Sequence, residues 1–257
     1  MHKRGYHQDM QVDLVSLPSQ LQEHHLRGRS VVIFDVLRAT TSIVTAIASG
    51  AAEIQVFGSL EAALEAGKAF AGSKYLCGER QCLRPQGFDL GNSPGDFASP
   101  GIEGRTLFMS TTNGTRAIVA AAGAEKRLVA ALVNATATAK CVLGAGSDVT
   151  LLCAGTDGQV APEDLIGAGA VADALARLRP VSLESQAMEA RRLFASARGS
   201  LRAVLGATAG GQNIVRAGLD ADIDFAARLD VFDIVAEACG ESPVVRRIIG
   251  SCQSEQK

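Results

Sequence analysis

Residues Val31–Gly50 read VVIFDVLRATTSIVTAIASG and predict a buried strand, a polar turn and a helix, in that order. Val31 to Phe34 form a short apolar, β-branched run that is typical of a buried strand. After the turn, apolar residues recur at helical spacing as far as Gly50, which is placed to end a helix. This order of elements collects functional groups beyond the carboxyl end of a parallel strand.

The turn contains an acid, a base and several hydroxyl groups. Asp35 closes the strand, Arg38 follows three residues later, and Thr40 and Thr41 stand where the helix would begin. These side chains would suit a phosphate group bound through a metal ion. An ordinary strand–helix turn with a helix cap and a salt bridge would use the same residues, so both interpretations stay open for this stretch alone.

The alternation of strands and helices continues along most of the chain. It predicts an α/β fold in which a mainly parallel sheet is covered by helices on both faces, an α/β/α architecture. Two similar subdomains are an alternative, because Phe34–Gly50 and Phe108–Gly123 form a weak internal repeat. The predicted organisation is a leader and first strand in residues 1–30, an α/β catalytic region in 31–240, where two subdomains would share one cleft, and a C-terminal tail in 241–257.

Four segments carry more specific expectations. Gly78–Phe97 is rich in Gly, Pro and Asn and should be a long ordered loop. Gly210–Gly211 should break a helical stretch that begins at Ser182. Val231–Val235 should be a short strand, and the chain after Gly240 should be a charged tail with a mobile end.

Composition limits the function. The 257 residues include 25 basic and 27 acidic side chains, a net charge of −2, which argues against a nucleic-acid-binding surface. Six cysteines are widely spaced, no signal peptide precedes them, and no apolar run is long enough to span a bilayer. These features predict reduced thiols in a cytoplasmic protein that binds neither nucleic acid nor membrane.

The positions of the histidines exclude much familiar chemistry. All four lie within the first 25 residues, whereas a Ser–His–Asp triad, a zinc hydrolase or a phosphohistidine enzyme needs one near the strand ends. A P-loop motif and a complete dinucleotide-binding glycine motif are also missing, which disfavours a nucleotidase and a nucleotide-dependent oxidoreductase. Cys153 follows a strand, as a phosphatase nucleophile would, but Gln159 stands where the partner Arg is needed.

Oxygen chemistry remains at the predicted strand ends. Carboxylates, amides and hydroxyls form sites for hard cations such as Mg²⁺. Arg38, Arg80 and Arg116 add donors for an anion. Each oxygen-bearing residue also suits a turn or a helix end, and only their recurrence after successive strands favours one shared site. These residues are Asp35, Glu79, Asp89, Asn92, Thr111, Thr112, Asn113, Asp157, Glu163 and Asp164.

Four segments in this order resemble a known family: FDVLRATTSIVTAIASGA, CGERQCLRPQGFDLGNSP, STTNGTRAI and CAGTDGQVAPEDLIGAGA. They are similar to the ComB family of 2-phosphosulfolactate phosphatases over about Val31–Leu178, with a fainter similarity in Asp222–Val235. The combination of GER, GFDxGNSP and TTNGT is specific. Between GER and GFD this chain has Gln81-Cys82-Leu83, where a smaller, glycine-bearing run is more usual, and this difference bears on substrate specificity.

The resemblance implies an Mg²⁺-dependent acid phosphatase. Its reaction would convert 2-phosphosulfolactate to 3-sulfolactate and phosphate, in coenzyme M biosynthesis or a related pathway. The expected partner is a small phosphorylated acid, and a homodimer stays open. The matching motif residues are Asp35, Arg38, Thr40, Thr41, Glu79, Arg80, Asp89, Asn92, Ser93, Thr111, Thr112, Asn113, Gly114, Cys153, Glu163 and Asp164.

We assign roles to these residues on physical grounds. Arg38 and the backbone amides around Thr111–Gly114 would bind the phosphoryl group, and Asp89 would protonate the leaving alkoxide. Whether Asp35 attacks phosphorus or only holds metal stays open. The candidate metal ligands are Asp35, Glu79, Glu163 and Asp164. The other candidate substrate contacts are Thr40, Thr41, Asn92, Ser93 and Cys153, with Arg80 or Arg116 for a carboxylate or sulfonate.

One rival interpretation belongs to another class of protein. A non-catalytic protein that senses or carries a phosphorylated acid would need the same arginine and amide groups but no metal. Metal-dependent release of phosphate from an ester distinguishes the two.

Overall fold

The computed structural model describes residues 9–248 of the chain. Within this range it forms one ten-stranded, mainly parallel sheet with helices around it, and this confirms the predicted α/β/α architecture. The strands are β1 (Gln11–Val15), β2 (Arg29–Phe34), β3 (Glu53–Val56), β4 (Lys74–Gly78), β5 (Thr106–Ser110), β6 (Lys126–Val129), β7 (Asp148–Cys153), β8 (Ser182–Leu183), β9 (Ala236–Cys239) and β10 (Val244–Arg247). The α-helices are α1 (Ala39–Ala48), α2 (Leu60–Ala69), α3 (Pro94–Phe97), α4 (Gly114–Ala120), α5 (Ala135–Ala145), α6 (Pro162–Leu178), α7 (Ser185–Ala197), α8 (Leu201–Ala207), α9 (Ala209–Arg216) and α10 (Asp220–Ala226).

The side chains of β2 show why both faces of the sheet are covered. Val32 and Phe34 belong to one hydrophobic core, together with residues of α6 and α7. Val31 and Ile33 belong to the other core, together with residues of α1 and α4. All four are fully buried, so the strand reads as a continuous apolar run.

The sheet consists of two parallel groups of strands joined by an antiparallel hairpin. The strand order is β4-β5-β3-β10-β9-β6-β2-β7-β1-β8. The first three strands are parallel to one another, and so are the last five. Because the pairs β3–β10, β10–β9 and β9–β6 are all antiparallel, the two groups run in opposite directions.

The chain crosses between these groups twice, each time through a strand–helix–strand unit. The unit β2–α1–β3 leads from the second group to the first, and β5–α4–β6 leads back. These two units contain the weak sequence repeat. The crossings bring α1 and α4 into contact on one face of the sheet, and α4 also contacts β2. The loops that precede α1 and α4 therefore meet.

The C-terminal part differs from the sequence prediction. Residues 231–235 are not a strand, and β9 and β10 instead form the hairpin at the centre of the sheet. Strand β10 lies in the segment predicted as a charged tail, and its last two residues are exposed arginines. Each of these strands has four residues and is only partly buried, so neither contains the apolar run that indicates a buried strand.

Two local predictions have opposite outcomes. Gly210 and Gly211 do not break the helical region, because they lie in the first turn of α9, where the Thr208 hydroxyl accepts from the Gly211 amide and caps the helix. The long loop between β4 and β5 is ordered, as predicted, and contains α3.

Most of the cysteines within residues 9–248 are free thiols. Cys77, Cys82, Cys153 and Cys239 are free, as predicted, whereas Cys141 is disulfide-bonded, so the expectation of a reduced thiol is wrong at that position. Cys252 lies outside the described residues. No helix within residues 9–248 is both long and apolar enough to cross a bilayer. The cytoplasmic location and the division into leader, catalytic region and tail stay predictions.

The contact between α6 and α7 generates a stability prediction. Helix α6 carries two acids of the site in its first turn and packs along α7. A Cβ on Gly169 would overlap the backbone oxygen of Ala190 and lie 2.9 Å from the Cβ of Phe194. We expect Gly169→Ala to lower the free energy of unfolding by about 3 kcal/mol in urea denaturation, because a backbone atom must move to make room.

Gly199→Ala is the matched control. A Cβ at Gly199 meets nothing within 4 Å, so this variant should be as stable as the parent protein or slightly more stable. Equal stability of the Gly169 and Gly199 variants would contradict the close packing of the two helices.

Candidate active site

A polar cavity of about 530 Å³ lies where the loops of the two strand groups meet. Its walls include the loops after β2, β4 and β5, the start of α2, the loop after β7, and α9. Ten of the predicted site residues are among those that line it: Asp35, Arg38, Glu79, Arg80, Asn92, Thr111, Thr112, Asn113, Arg116 and Asp157.

Asp35 lies directly after β2 and is 8% exposed. Its Oδ1 accepts a hydrogen bond from the Ala39 amide at 3.2 Å, which fixes the carboxylate against the first turn of α1. Its Oδ2 accepts none from residues 9–248. A Cβ on Gly114 would lie 2.7 Å from this Oδ2 and 2.5 Å from the Cβ of Ala39. Helix α4 can therefore start beside Asp35 only because residue 114 is glycine.

Asp35 lies near other acidic side chains, of which Glu163 and Asp164 are also buried. Burial, with the charges of Glu79 and Glu163, raises the pKa of Asp35 from its ordinary value of 3.8 to about 7, against the lowering effects of the Ala39 hydrogen bond and Arg38. Burial also raises the pKa of Glu163. Burial and then the charges of Asp35 and Glu163 raise the pKa of Asp164. The site thus disfavours its own negative charges, which a bound cation would compensate.

Two of the acids hold loops together. Asp164 accepts from the amides of Val36 at 2.8 Å and Gly155 at 3.0 Å, and so joins the ends of β2 and β7. Glu79 accepts from the amide and hydroxyl of Thr112 at 2.8 and 2.6 Å, and from the Cys82 amide at 3.1 Å. It thereby joins the loops after β4 and β5. Glu79 lines the cavity, whereas Asp164 is buried outside its lining.

Some oxygens near the cavity have no partner. Within residues 9–248, Oε2 of Glu163 and Oδ1 of Asn92 are buried without a hydrogen bond. Glu163 is 1% exposed and lies against Gly210, where a Cβ would overlap its Oε1. With Oδ2 of Asp35, these atoms form a set of unpaired oxygen acceptors, which is the chemistry that a hard cation requires.

The arrangement fits a cation held partly by the substrate. In the described part of the chain, no three His, Cys, Asp or Glu side chains gather into a preassembled metal site. Mg²⁺ usually binds one or two carboxylates, several waters and a substrate phosphate, and it seldom needs an all-protein cage. Asp35 has a free carboxylate oxygen in the cavity wall, and Glu163, which is not part of the lining, has one buried behind Gly210.

Arg38 is buried beside Asp35 and is held by three acceptors. Its Nη1 donates to Oδ2 of Asp222 at 2.6 Å and to Oγ of Ser93 at 3.1 Å. Its Nη2 donates to the carbonyl oxygen of Cys82 at 2.6 Å. The sequence analysis missed Asp222, which stands 184 positions from Arg38. The only signal for it was the faint family similarity that begins at that residue.

The turn that supplies the Cys82 carbonyl has an unusual conformation. The amide of Arg80 donates to the carbonyl of Leu83 at 3.0 Å, and the reverse bond is 3.1 Å. Between them, Gln81 and Cys82 have φ of 53° and 67°. Two positive φ values are what a type I′ turn requires, and glycine or asparagine normally supplies them. A glycine-bearing run would therefore fit this position with less strain.

Donors for an anion lie in or next to the cavity wall near Asp35. The backbone amides of Asn113 and Gly114, at the start of α4, donate to no acceptor within residues 9–248. Arg116 is exposed and forms no ion pair with the described residues. The Arg80 side chain is 71% exposed, and its nearest carboxylate oxygen, from Glu61, is 3.9 Å away. Both arginines are available to a ligand.

Several predicted side chains do not reach the cavity. Thr40 and Thr41 are fully buried, and their hydroxyls donate to backbone carbonyls of their own turn. Cys153 is fully buried, which raises the pKa of its thiol. Asp89 is exposed, and its Oδ2 accepts from a backbone amide of β4 at 2.7 Å. Ser93 contacts Arg38 and Asp222, and its side chain does not line the cavity.

Comparison with known proteins points in one direction. A family model described as 2-phosphosulpholactate phosphatase matches residues 15–241. Three similar proteins are each named "Probable 2-phosphosulfolactate phosphatase". The protein from Carboxydothermus hydrogenoformans is 36% identical over 89% of this chain and 93% of its own length. Those from Symbiobacterium thermophilum and Thermotoga maritima are 39% and 34% identical, over 82% and 87% of this chain and 91% and 93% of their own lengths.

The raised pKa of Asp35 predicts how stability depends on pH. Between pH 4 and pH 7 the folded state keeps a proton on Asp35 that the unfolded chain has released. Stability without divalent ions should therefore fall as pH rises through this window. Asp35→Asn cannot ionise. It should match the parent protein at pH 4 and be more stable at pH 8, by up to about 4 kcal/mol in urea denaturation with EDTA.

Glu65→Gln provides the control, because Glu65 is an exposed acid on α2 and forms no ion pair within residues 9–248. Its effect should be small at both pH values. If Asp35→Asn were less stable than the parent protein at pH 8, Asp35 would not be an uncompensated buried charge.

Proposed function

Because the chain belongs to the 2-phosphosulpholactate phosphatase family, we propose that it hydrolyses 2-phosphosulfolactate to 3-sulfolactate and phosphate. As a member of that family the protein is a phosphoric monoester hydrolase. The observation that carries the proposal is one cavity in which the unpaired Oδ2 of Asp35 lies near arginine and amide donors, with Glu163, whose Oε2 is unpaired, buried against Gly210 of the cavity wall. We assign the reaction to coenzyme M biosynthesis or a related pathway, as the family resemblance implies.

The phosphoryl group would lie between Arg38 and the start of α4. Arg38 keeps N–H groups that no acceptor within residues 9–248 uses, and the amides of Asn113 and Gly114 are similarly free. Such fixed donors stabilise a phosphoryl group most when charge spreads over its oxygens in the transition state. Glu79 keeps Thr112, and with it the start of α4, in place.

We propose that Asp35 and Glu163 hold a Mg²⁺ ion, with Glu79 and Asn92 close to it. Their free oxygens and raised pKa values support this assignment. A bound Mg²⁺ would neutralise phosphate oxygens and reduce their repulsion of an incoming nucleophile. Asp164 would support the metal site indirectly, because its two oxygens already accept hydrogen bonds from backbone amides. Asp89 lies outside the cavity, so we no longer propose it as the acid that protonates the leaving group.

The first test is release of phosphate from 2-phosphosulfolactate and from p-nitrophenyl phosphate. EDTA should abolish both activities, and added Mg²⁺ should restore them. Asp35→Asn should lower kcat/KM by about 10³-fold or more, since the charge stabilisation that a metal supplies is worth several kcal/mol. Glu65→Gln should leave kcat/KM unchanged.

The outcomes separate the parts of the proposal. Activity that persists in EDTA would reject the proposed metal requirement but retain the assignment as a phosphatase. Tight binding of phosphorylated acids without any phosphate release would favour the non-catalytic alternative. Hydrolysis of p-nitrophenyl phosphate but not of 2-phosphosulfolactate would reject the proposed substrate.

A second test concerns the other anionic groups of the substrate, for which Arg116 is available. Arg116→Gln should raise KM for 2-phosphosulfolactate about tenfold, because one charged hydrogen bond to the carboxylate or sulfonate is lost. KM for p-nitrophenyl phosphate, which lacks both groups, should not change. Arg247→Gln removes a charge from the exposed end of β10 and serves as the control. Equal effects of Arg116→Gln on the two substrates would place Arg116 at the phosphate instead.

A further inference from the structure

We propose that Asp222 is a positioning residue that fixes the orientation of the Arg38 guanidinium in the active site. The proposal deepens the proposed function, because the phosphoryl group is the anion that Arg38 would bind. Asp222 itself does not line the cavity, so it would act on the reaction only through Arg38.

The contact between the two side chains is close and almost free of solvent. Their side chains are 2% and 7% exposed, and the distance from Nη1 of Arg38 to Oδ2 of Asp222 is 2.6 Å. Ser93 completes a closed set of hydrogen bonds, because its hydroxyl accepts from Nη1 and donates to the same Oδ2 at 2.9 Å. A charged pair with this geometry holds the planar guanidinium in one orientation.

The three acceptors around Arg38 determine which donors remain free. Asp222 and Ser93 use Nη1, and the Cys82 carbonyl uses one N–H of Nη2. Nε and the second N–H of Nη2 have no acceptor within residues 9–248. Because Arg38 lines the cavity, these are the donors available to a phosphate there.

The fold brings the three partners together at the starts of three helices. Arg38 precedes α1, Ser93 precedes α3, and Asp222 lies in the first turn of α10. Helix α3 packs against both α1 and α10, so the loop after β4 lies between them. The Ser42 hydroxyl adds a bond to the Asn92 carbonyl at 2.8 Å, which ties α1 to this loop.

Because Asp222 is a counter-ion for Arg38, phosphate binding depends mainly on how the guanidinium of Arg38 is oriented. Arg38 already has a buried counter-ion, so its attraction for a dianion depends on where its free N–H groups point more than on net charge. Removing the carboxylate frees the guanidinium to rotate or to approach the cavity acids. The loss should appear mainly in kcat, because misplaced donors harm the transition state more than the ground state.

The test compares Asp222→Ala, Asp222→Asn, Arg38→Ala and the Arg38→Ala/Asp222→Ala double variant in the full chain. Two quantities are measured: kcat and KM for p-nitrophenyl phosphate with Mg²⁺, and the Kd for inorganic phosphate by calorimetry. Asp222→Ala should lower kcat about 10²-fold. Asp222→Asn keeps an acceptor for Nη1 and should recover most of that loss. Asp224→Ala, which removes an exposed acid of the same helix, should match the parent protein.

The double variant separates positioning from an independent role. If Asp222 acts only through Arg38, the double variant should have the kcat/KM of Arg38→Ala alone. It also removes both buried charges, so it should fold even if Asp222→Ala does not. A double variant much less active than Arg38→Ala, or an Asp222→Ala variant with normal kcat and normal phosphate binding, would overturn the proposal.

Failure of the phosphatase assignment would look different. A parent protein that hydrolyses no ester but binds phosphate, with Kd raised at least tenfold in Asp222→Ala, would reject the proposed function and retain the role of Asp222. A parent protein that neither hydrolyses esters nor binds phosphate would overturn both.

Discussion

The site depends on how closely α4 approaches the turn after β2. Asp35 and the loop after β5 belong to oppositely directed strand groups, and four strands separate β2 from β5 in the sheet. Neighbouring strands in a sheet are rotated by about 20–25° relative to each other, so β2 and β5 are rotated by about 100–125° in total. The carboxyl ends of the two strands therefore do not point in fully opposite directions. The contact of α4 with α1 and β2 brings the loops together, and Gly114 allows the start of α4 to lie directly beside Asp35 because it has no side chain.

That convergence has an electrostatic cost. It places Asp35 near Glu79 and Glu163 with little water, and Arg38, the nearest positive charge, is already paired with Asp222. Natural proteins tolerate such uncompensated acids where function requires them, at the expense of stability. The buried, unpaired oxygens of Glu163 and Asn92 fit the same explanation. Under the proposed function, a ligand or an ion would satisfy them.

The sequence predicted the α/β/α fold and a large share of the polar residues that line the cavity, because both follow from local pattern. Continuous apolar runs identified buried strands such as β2, and polar residues after them identified the loops. Local pattern does not encode strand order. The sequence therefore predicted that residues after successive strands share one site, but not that β2 and β5 are separated by four strands in the sheet. The β9–β10 hairpin was missed because neither short strand is continuously apolar.

A sequence motif also does not reveal which hydrogen-bond partner each polar atom of its residues has. Thr40 and Thr41 hydrogen-bond their own turn, and Asp164 binds two strand ends, so none of them is free to bind substrate. Every buried polar group needs a partner, and most partners are backbone groups that a sequence does not identify. Conversely, Asp222 lies in the acidic first turn of α10. In a sequence, acids at such a position are normally explained by their favourable interaction with the helix dipole. Only the fold shows that the partner of Asp222 is Arg38, so residues that support a site from a distance are the least accessible to sequence reasoning.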